Sequence, residues 1–156
     1  RLTPALAHWP STPAQLWEQL LSQDAPRRSH PAQIFGSDRD QGAVRASTEN
    51  AKRAGVHKEI QWTCTDVRQL DRPNCDSGLV VANLPYGKRV GDIGKLRGLY
   101  SSVGAALRSQ FPGWRLAIIC PDKALAGKVL PRMDERLRFE NGGIPVGLYC
   151  GVIPAL

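Results

Sequence analysis

Three short apolar runs in this chain each give way to a polar residue at the carboxyl end: 33–38 at Asp38, 59–65 at Asp66 and 77–83 at Asn83. A helical stretch or a turn follows each one. That rhythm constrains the fold more than any bulk property, because strands joined by helical crossovers lie parallel in one sheet. The third run is apolar from Leu79 to Ala82, the pattern of a strand covered on both faces, so helices are expected on both sides of the sheet. The predicted class is α/β. The edge at which the three polar residues gather is where open sheets of this kind bind ligands.

The rest of the chain fills in around these strands. A helix over 40–54 is expected to turn Ala43, Ala46, Asn50, Ala51 and Ala54 inward, with Gly55 closing it. Leu96, Leu99, Tyr100, Val103, Leu107 and Phe111 form the apolar stripe of a long helix, stopped by Pro112-Gly113. A strand over 114–120, a short helix over 122–129 and two final strands over 136–140 and 146–153 complete the reading. Asn141-Gly142-Gly143 joins the last two as a hairpin, so the mostly parallel sheet gains an antiparallel end. Upstream, residues 1–31 read as a proline-rich lead-in to a domain over 32–156. That lead-in holds one helix over 13–23, with Leu16, Trp17, Leu20 and Leu21 on its apolar face.

At 156 residues the chain is long enough to bury a core without disulfide or metal staples. No apolar run approaches the roughly 18 residues of a membrane span, and no metal site is expected from the spacing of its Cys and His residues. The four cysteines, Cys64, Cys75, Cys120 and Cys150, are read as reduced, buried thiols in a cytoplasmic protein, with two disulfides in a secreted one as the competing reading. The 21 Lys and Arg against 14 Asp and Glu leave a net charge of +7. Arg39, Arg45, Lys52, Arg53, Lys88, Arg89, Lys95 and Arg97 lie near the polar edge or on its helices, a distribution suited to nucleic-acid phosphates.

A carboxylate at a strand end can accept from both hydroxyls of a ribose, which suits Asp38. Either Asp38 or Asp40 could instead cap the following helix, and Asp40 is better read that way. Asp66 could accept from an adenine amino group or cap a turn at 67–70. Asn83-Leu84-Pro85-Tyr86 is the most specific short signal. The Asn side-chain oxygen and the carbonyl before Pro can converge on an exocyclic amino group, while Pro stiffens the turn and Tyr86 offers a stacking face. A base amine is a poor nucleophile, because its lone pair is delocalised into the ring. Two acceptors on its hydrogens draw it toward a tetrahedral, nucleophilic form without a strong base. A plain strand-ending turn with a surface Tyr is the structural alternative for the tetrapeptide, and a solvated loop is the alternative for Lys88 and Arg89.

The run Ile34-Phe35-Gly36-Ser37-Asp38-Arg39-Asp40, the helix ending Ala54-Gly55-Val56, Asp66, and Asn83-Leu84-Pro85-Tyr86-Gly87-Lys88-Arg89-Val90-Gly91 together resemble the class I S-adenosylmethionine-dependent RNA methyltransferases. More narrowly, the chain is similar to the guanine-N2 enzymes that carry a THUMP domain and act on large-subunit ribosomal RNA. The resemblance implies a Rossmann-like sheet and S-adenosylmethionine as cofactor, held by Asp38 at the ribose and Asp66 at the adenine, with Asn83 bordering it. It implies Asn83, Pro85 and Tyr86 as catalytic residues, Leu84 and Tyr86 at the target base, and Lys88 and Arg89 at RNA phosphates. Ribosomal RNA is the implied partner, with transfer RNA as the alternative, since Leu84 stands where the ribosomal enzymes more often have Pro.

The family's glycine-rich first motif would fall before Arg1. The chain is therefore expected to be a fragment that lacks the central first strand of the sheet, with a THUMP domain elsewhere in a longer protein. The competing activities are adenine-N6 methylation of DNA and glutamine methylation of protein. A nucleic-acid-binding module without catalysis is the alternative from another class.

Overall fold

The structure is a computed structural model that describes Pro13 and residues 33–86 and 93–155. The helix expected over 13–23 and the pair Lys88 and Arg89 lie outside the described residues.

β1 (Ile34–Asp38) leads into α1 (Gln41–Ala54), and β2 (Ile60–Cys64) returns beside β1 in parallel, with Asp38 in register with Cys64. α1 starts where Asp40 accepts from the Ala43 N–H at 2.9 Å and ends at Gly55, whose N–H bonds the Lys52 carbonyl while that of Val56 bonds Ala51. Its inner face matches the expected one only at Ala51 and, half-buried, at Ala43. Val44 and Ala51 are buried and Ser47 and Thr48 half-buried, whereas Ala46, Asn50 and Ala54 are exposed. Val44 carries the largest apolar surface in the helix, and 44, 47, 48 and 51 keep the spacing of one stripe. The Thr48 hydroxyl on that face donates to the Val44 carbonyl.

The remaining strands form a second sheet in the order β3-β4-β6-β5. β3 (Leu79–Asn83) and β4 (Arg115–Cys120) are parallel; β6 (Ile144–Val152) runs antiparallel to β4 and to β5 (Asp134–Asn141). The hairpin joining β5 to β6 is tighter than the expected turn. Asn141 pairs with Ile144, so only Gly142 and Gly143 turn the chain, at φ 60° and 76°, a left-handed pair that glycine adopts freely. Among the described residues β1 has no strand neighbour besides β2, where the resemblance implies a central one.

α2 (Ile93–Gln110) and α3 (Lys123–Val129) pack over one face of the second sheet. The expected stripe is present: Leu96, Tyr100, Val103, Leu107 and Phe111 are buried, with Leu99 packed at their margin. They meet Leu116, Ile118, Tyr149, Val129 and Leu130, each fully buried side chain contributing about 1.5–3 kcal/mol. Val80 and Ala82 of β3 join this core, but Leu79 and Val81 alternate to the other face and are 52% and 68% exposed. β3 is thus covered on one face among the described residues, not on both: as the last strand of its sheet it packs only its even-numbered side chains.

Val67, Leu70 and Cys75, in the segment after β2, pack against the same core. No described helix is long and apolar enough to cross a membrane. All four cysteines are free. Cys120 is buried as expected, Cys75 and Cys150 are half-buried, and Cys64 is exposed at the end of β2, an outer strand with one neighbour.

Candidate active site

Parallel pairing of β1 and β2 brings Asp38 and Asp66 to one sheet edge, where the Thr65 N–H bonds the Asp38 carbonyl at 3.0 Å. One carboxylate oxygen of Asp38 accepts from the Asp40 N–H at 2.8 Å. This bond ties the strand end to the helix cap and fixes the side chain. The second oxygen has no partner among the described residues. A carboxylate offers about four acceptor positions, so the local bond leaves capacity for a diol.

Asp66 is more heavily engaged. It caps a single turn of 3-10 helix, Val67–Gln69, by accepting from the Arg68 N–H at 2.9 Å, and it takes a bidentate grip from the Arg68 guanidinium at 2.8 and 2.6 Å. These hydrogen bonds hold its carboxyl far below the usual carboxylate range, with the charge of Arg39 adding to the effect. Of the two readings open for Asp66, the cap is the one present here. An adenine amino group would compete with Arg68, a residue the sequence alone does not single out; the available signal is its position two residues after the acid.

Asn83 ends β3, exposed, and its side chain has no hydrogen-bond partner among the described residues. The three residues after it are each anchored. Leu84 is 7% exposed and belongs to the core. The Pro85 carbonyl accepts from the Tyr100 hydroxyl at 3.4 Å, a phenol whose burial pushes its pKa upward. The Tyr86 hydroxyl accepts from Asn141 Nδ2 at 2.6 Å, across 55 residues of sequence. Both bonds reach residues outside the turn itself. The sequence places Tyr100 in the core and Asn141 in a turn, with no sign that either touches the tetrapeptide. No described hydrogen bond or ion pair joins the tetrapeptide to Asp38 or Asp66.

The donor set can be set against the cofactor that the resemblance implies. Asp38, with one oxygen spare, has acceptor capacity for a ribose, whereas both Asp66 oxygens are held by Arg68 and an amino donor would have to displace it. No described group of Cys, His, Asp and Glu has the arrangement of a metal site.

Residues 8–146 match the family model described as UPF0020, the RMKL-like methyltransferase domain. The chain belongs to this family. A ribosomal RNA large subunit methyltransferase K/L of Syntrophotalea carbinolica is 34% identical over 145 residues, covering 88% of this chain and 20% of the relative. The enzyme of that name from Legionella pneumophila strain Lens is 33% identical over 153 residues, covering 97% and 21%. The chain thus spans about a fifth of the length of these RMKL-like relatives.

The fold is shared with solved methyltransferases. SMU.472, complexed with SAH, superposes with a TM-score of 0.72 at 23% identity, covering 94% of this chain and 39% of that one. TrmN from Thermus thermophilus superposes at 0.58 and 22%, covering 78% and 36%. The α/β fold of this RMKL-like domain is therefore that of the class I methyltransferases.

Proposed function

We propose that the chain is the substrate-facing part of an S-adenosylmethionine-dependent methyltransferase that modifies the exocyclic amino group of a base in RNA, specifically guanine N2 in large-subunit ribosomal RNA. The observation that carries this reading is the tetrapeptide itself: Leu84 and Pro85 are held at the core beneath it and Tyr86 at the β5–β6 hairpin, while the Asn83 side chain is left without a described partner. A strand end held on both sides of the Pro85–Tyr86 bond positions the one group it leaves open.

The cofactor, when bound, supplies an electrophilic methyl group. Asp38 would hold its ribose hydroxyls and Asp66 its adenine amino group. Asn83 Oδ1 and the Leu84 carbonyl accept from the two hydrogens of the target amine, drawing its lone pair out of conjugation. Pro85 keeps the Leu84 carbonyl fixed, and Tyr86 offers its ring to the base; stacking of this kind contributes about 1–3 kcal/mol per base. Catalysis then comes chiefly from orientation. Lys88, Arg89 and the cations of α1 neutralise phosphates. Ribosomal RNA in the cytoplasm is the substrate, with a THUMP domain of the longer protein adding RNA affinity. Support comes from the names of the relatives at 33–34% identity.

The test is methyl transfer by the full-length protein to large-subunit ribosomal RNA from cells lacking its gene, followed by mass spectrometry of the digested nucleosides. N2-methylguanosine is expected, lost in Asn83→Ala and in Asp38→Ala. Methyl transfer to adenine or to transfer RNA would move the substrate assignment. RNA binding without any methyl transfer would overturn the enzyme and leave a binding module.

A further inference from the structure

We infer that Asn141 is a positioning residue for the target base, acting through Tyr86 from the far end of the chain. The inference rests on the methyltransferase reading and deepens it.

Asn141 is the last residue of β5, and its partner across the hairpin is Ile144, with only Gly142 and Gly143 between. A two-residue turn of this type leaves little freedom at the strand end, so the amide that meets Tyr86 is carried on a rigid element. The hairpin is itself anchored: β6 pairs with β4 along Arg115–Cys120, and Val146 and Tyr149 are fully buried. The 2.6 Å bond from Asn141 Nδ2 to the Tyr86 hydroxyl therefore ties the outer end of the Tyr86 side chain to the antiparallel half of the sheet. Its backbone is tied to the core and to α2 by Leu84 and Pro85, the latter through Tyr100.

A phenol ring attached only at Cβ can swing about two torsions. Attached at both ends it presents one plane. That plane is the stacking platform, and its tilt sets the direction in which the base amine points from Asn83. Asn141 is exposed and packs in no core cluster, so its side chain serves the tyrosine more than the stability of the sheet.

The experiment is a double-mutant cycle in the full-length protein on large-subunit ribosomal RNA, with Asn141→Ala, Tyr86→Phe and the pair. Either single change removes one hydrogen bond, so kcat falls about five- to tenfold. KM for the RNA, set mainly by phosphate contacts, is unchanged, and the double variant is no worse than either single one. An active wild type whose kcat is unaffected by Asn141→Ala, or a pair of variants whose losses multiply, would overturn the inference while leaving the methyltransferase reading intact. A wild type that methylates no RNA would overturn both. If Asn141→Ala does not fold, Tyr86→Phe decides alone: the same loss of kcat at constant KM supports the inference, and wild-type turnover refutes it.

Discussion

Asn83 and Leu84 are adjacent and have opposite duties. Leu84 is part of the core under the loop, so Leu84→Ala should cost about 2–4 kcal/mol in urea unfolding through the cavity it leaves. Asn83 is exposed, and Asn83→Ala should change stability by less than about 0.5 kcal/mol while abolishing methyl transfer. Loss of activity in Asn83→Ala with a large fall in stability would mean that the side chain is structural after all. The sequence marks both residues as unusual, since a buried strand seldom ends in Asn followed by an apolar residue and Pro. It does not disclose that Leu84 is a plug, because burial depends on Leu96, Tyr100 and the other residues that α2 brings beneath the loop. Asp40 is legible as a cap because its partner lies three residues away. Arg68 is not legible as a rival for Asp66, because its grip depends on the tight turn over Val67–Gln69.

Among the elements, α2 and α3 approach each other closely enough that a glycine is required between them. A Cβ at Gly104 would lie 2.3 Å from the Val129 carbonyl oxygen, and that same oxygen accepts from Arg108 Nη1 at 2.8 Å. Gly104→Ala must therefore separate two backbones and break the arginine bond, a change of about 1–3 kcal/mol by the usual cost of overpacking. Gly98, on the same helix, has open space within 4 Å of the point a Cβ would occupy, so Gly98→Ala should stabilise by up to about 1 kcal/mol through helix propensity. Thermal melts of the two variants should move in opposite directions; a shared direction would place the contact elsewhere. The α2 stripe can be read from sequence because large side chains at regular spacing leave one solution. The α1 stripe cannot, because alanines spread around the helix and the inner face is decided by a single valine.

For the whole molecule the clearest chemical liability is alkali. Burial raises the Cys120 thiol from 9.0 to about 11. Tyr149 is raised from 10.0 to about 12, first by desolvation and then by its hydroxyl donating to Glu135. Groups whose folded pKa is raised stabilise the fold fully below their unfolded values, and that stability is lost as pH rises through the folded ones. Stability should be flat on this account up to about pH 9 and fall between about 9 and 12. Chemical denaturation across that range checks it, with Cys120→Ala removing the earlier part of the decline. The α/β order, the parallel pairs and the closing hairpin are all legible, since each follows from spacing within a few residues. The division into two sheets is not readable from the spacing of the residues, nor is the bare face of β3, because both depend on how distant elements assemble. That division has a practical consequence. The outer edges of β1 and β3 carry main-chain donors and acceptors with no described strand beside them, next to exposed Ile34, Phe35, Leu79 and Val81. Such edges are templates for pairing between chains, so this segment expressed by itself would be limited by colloidal stability before chemistry, precipitating as its concentration rises.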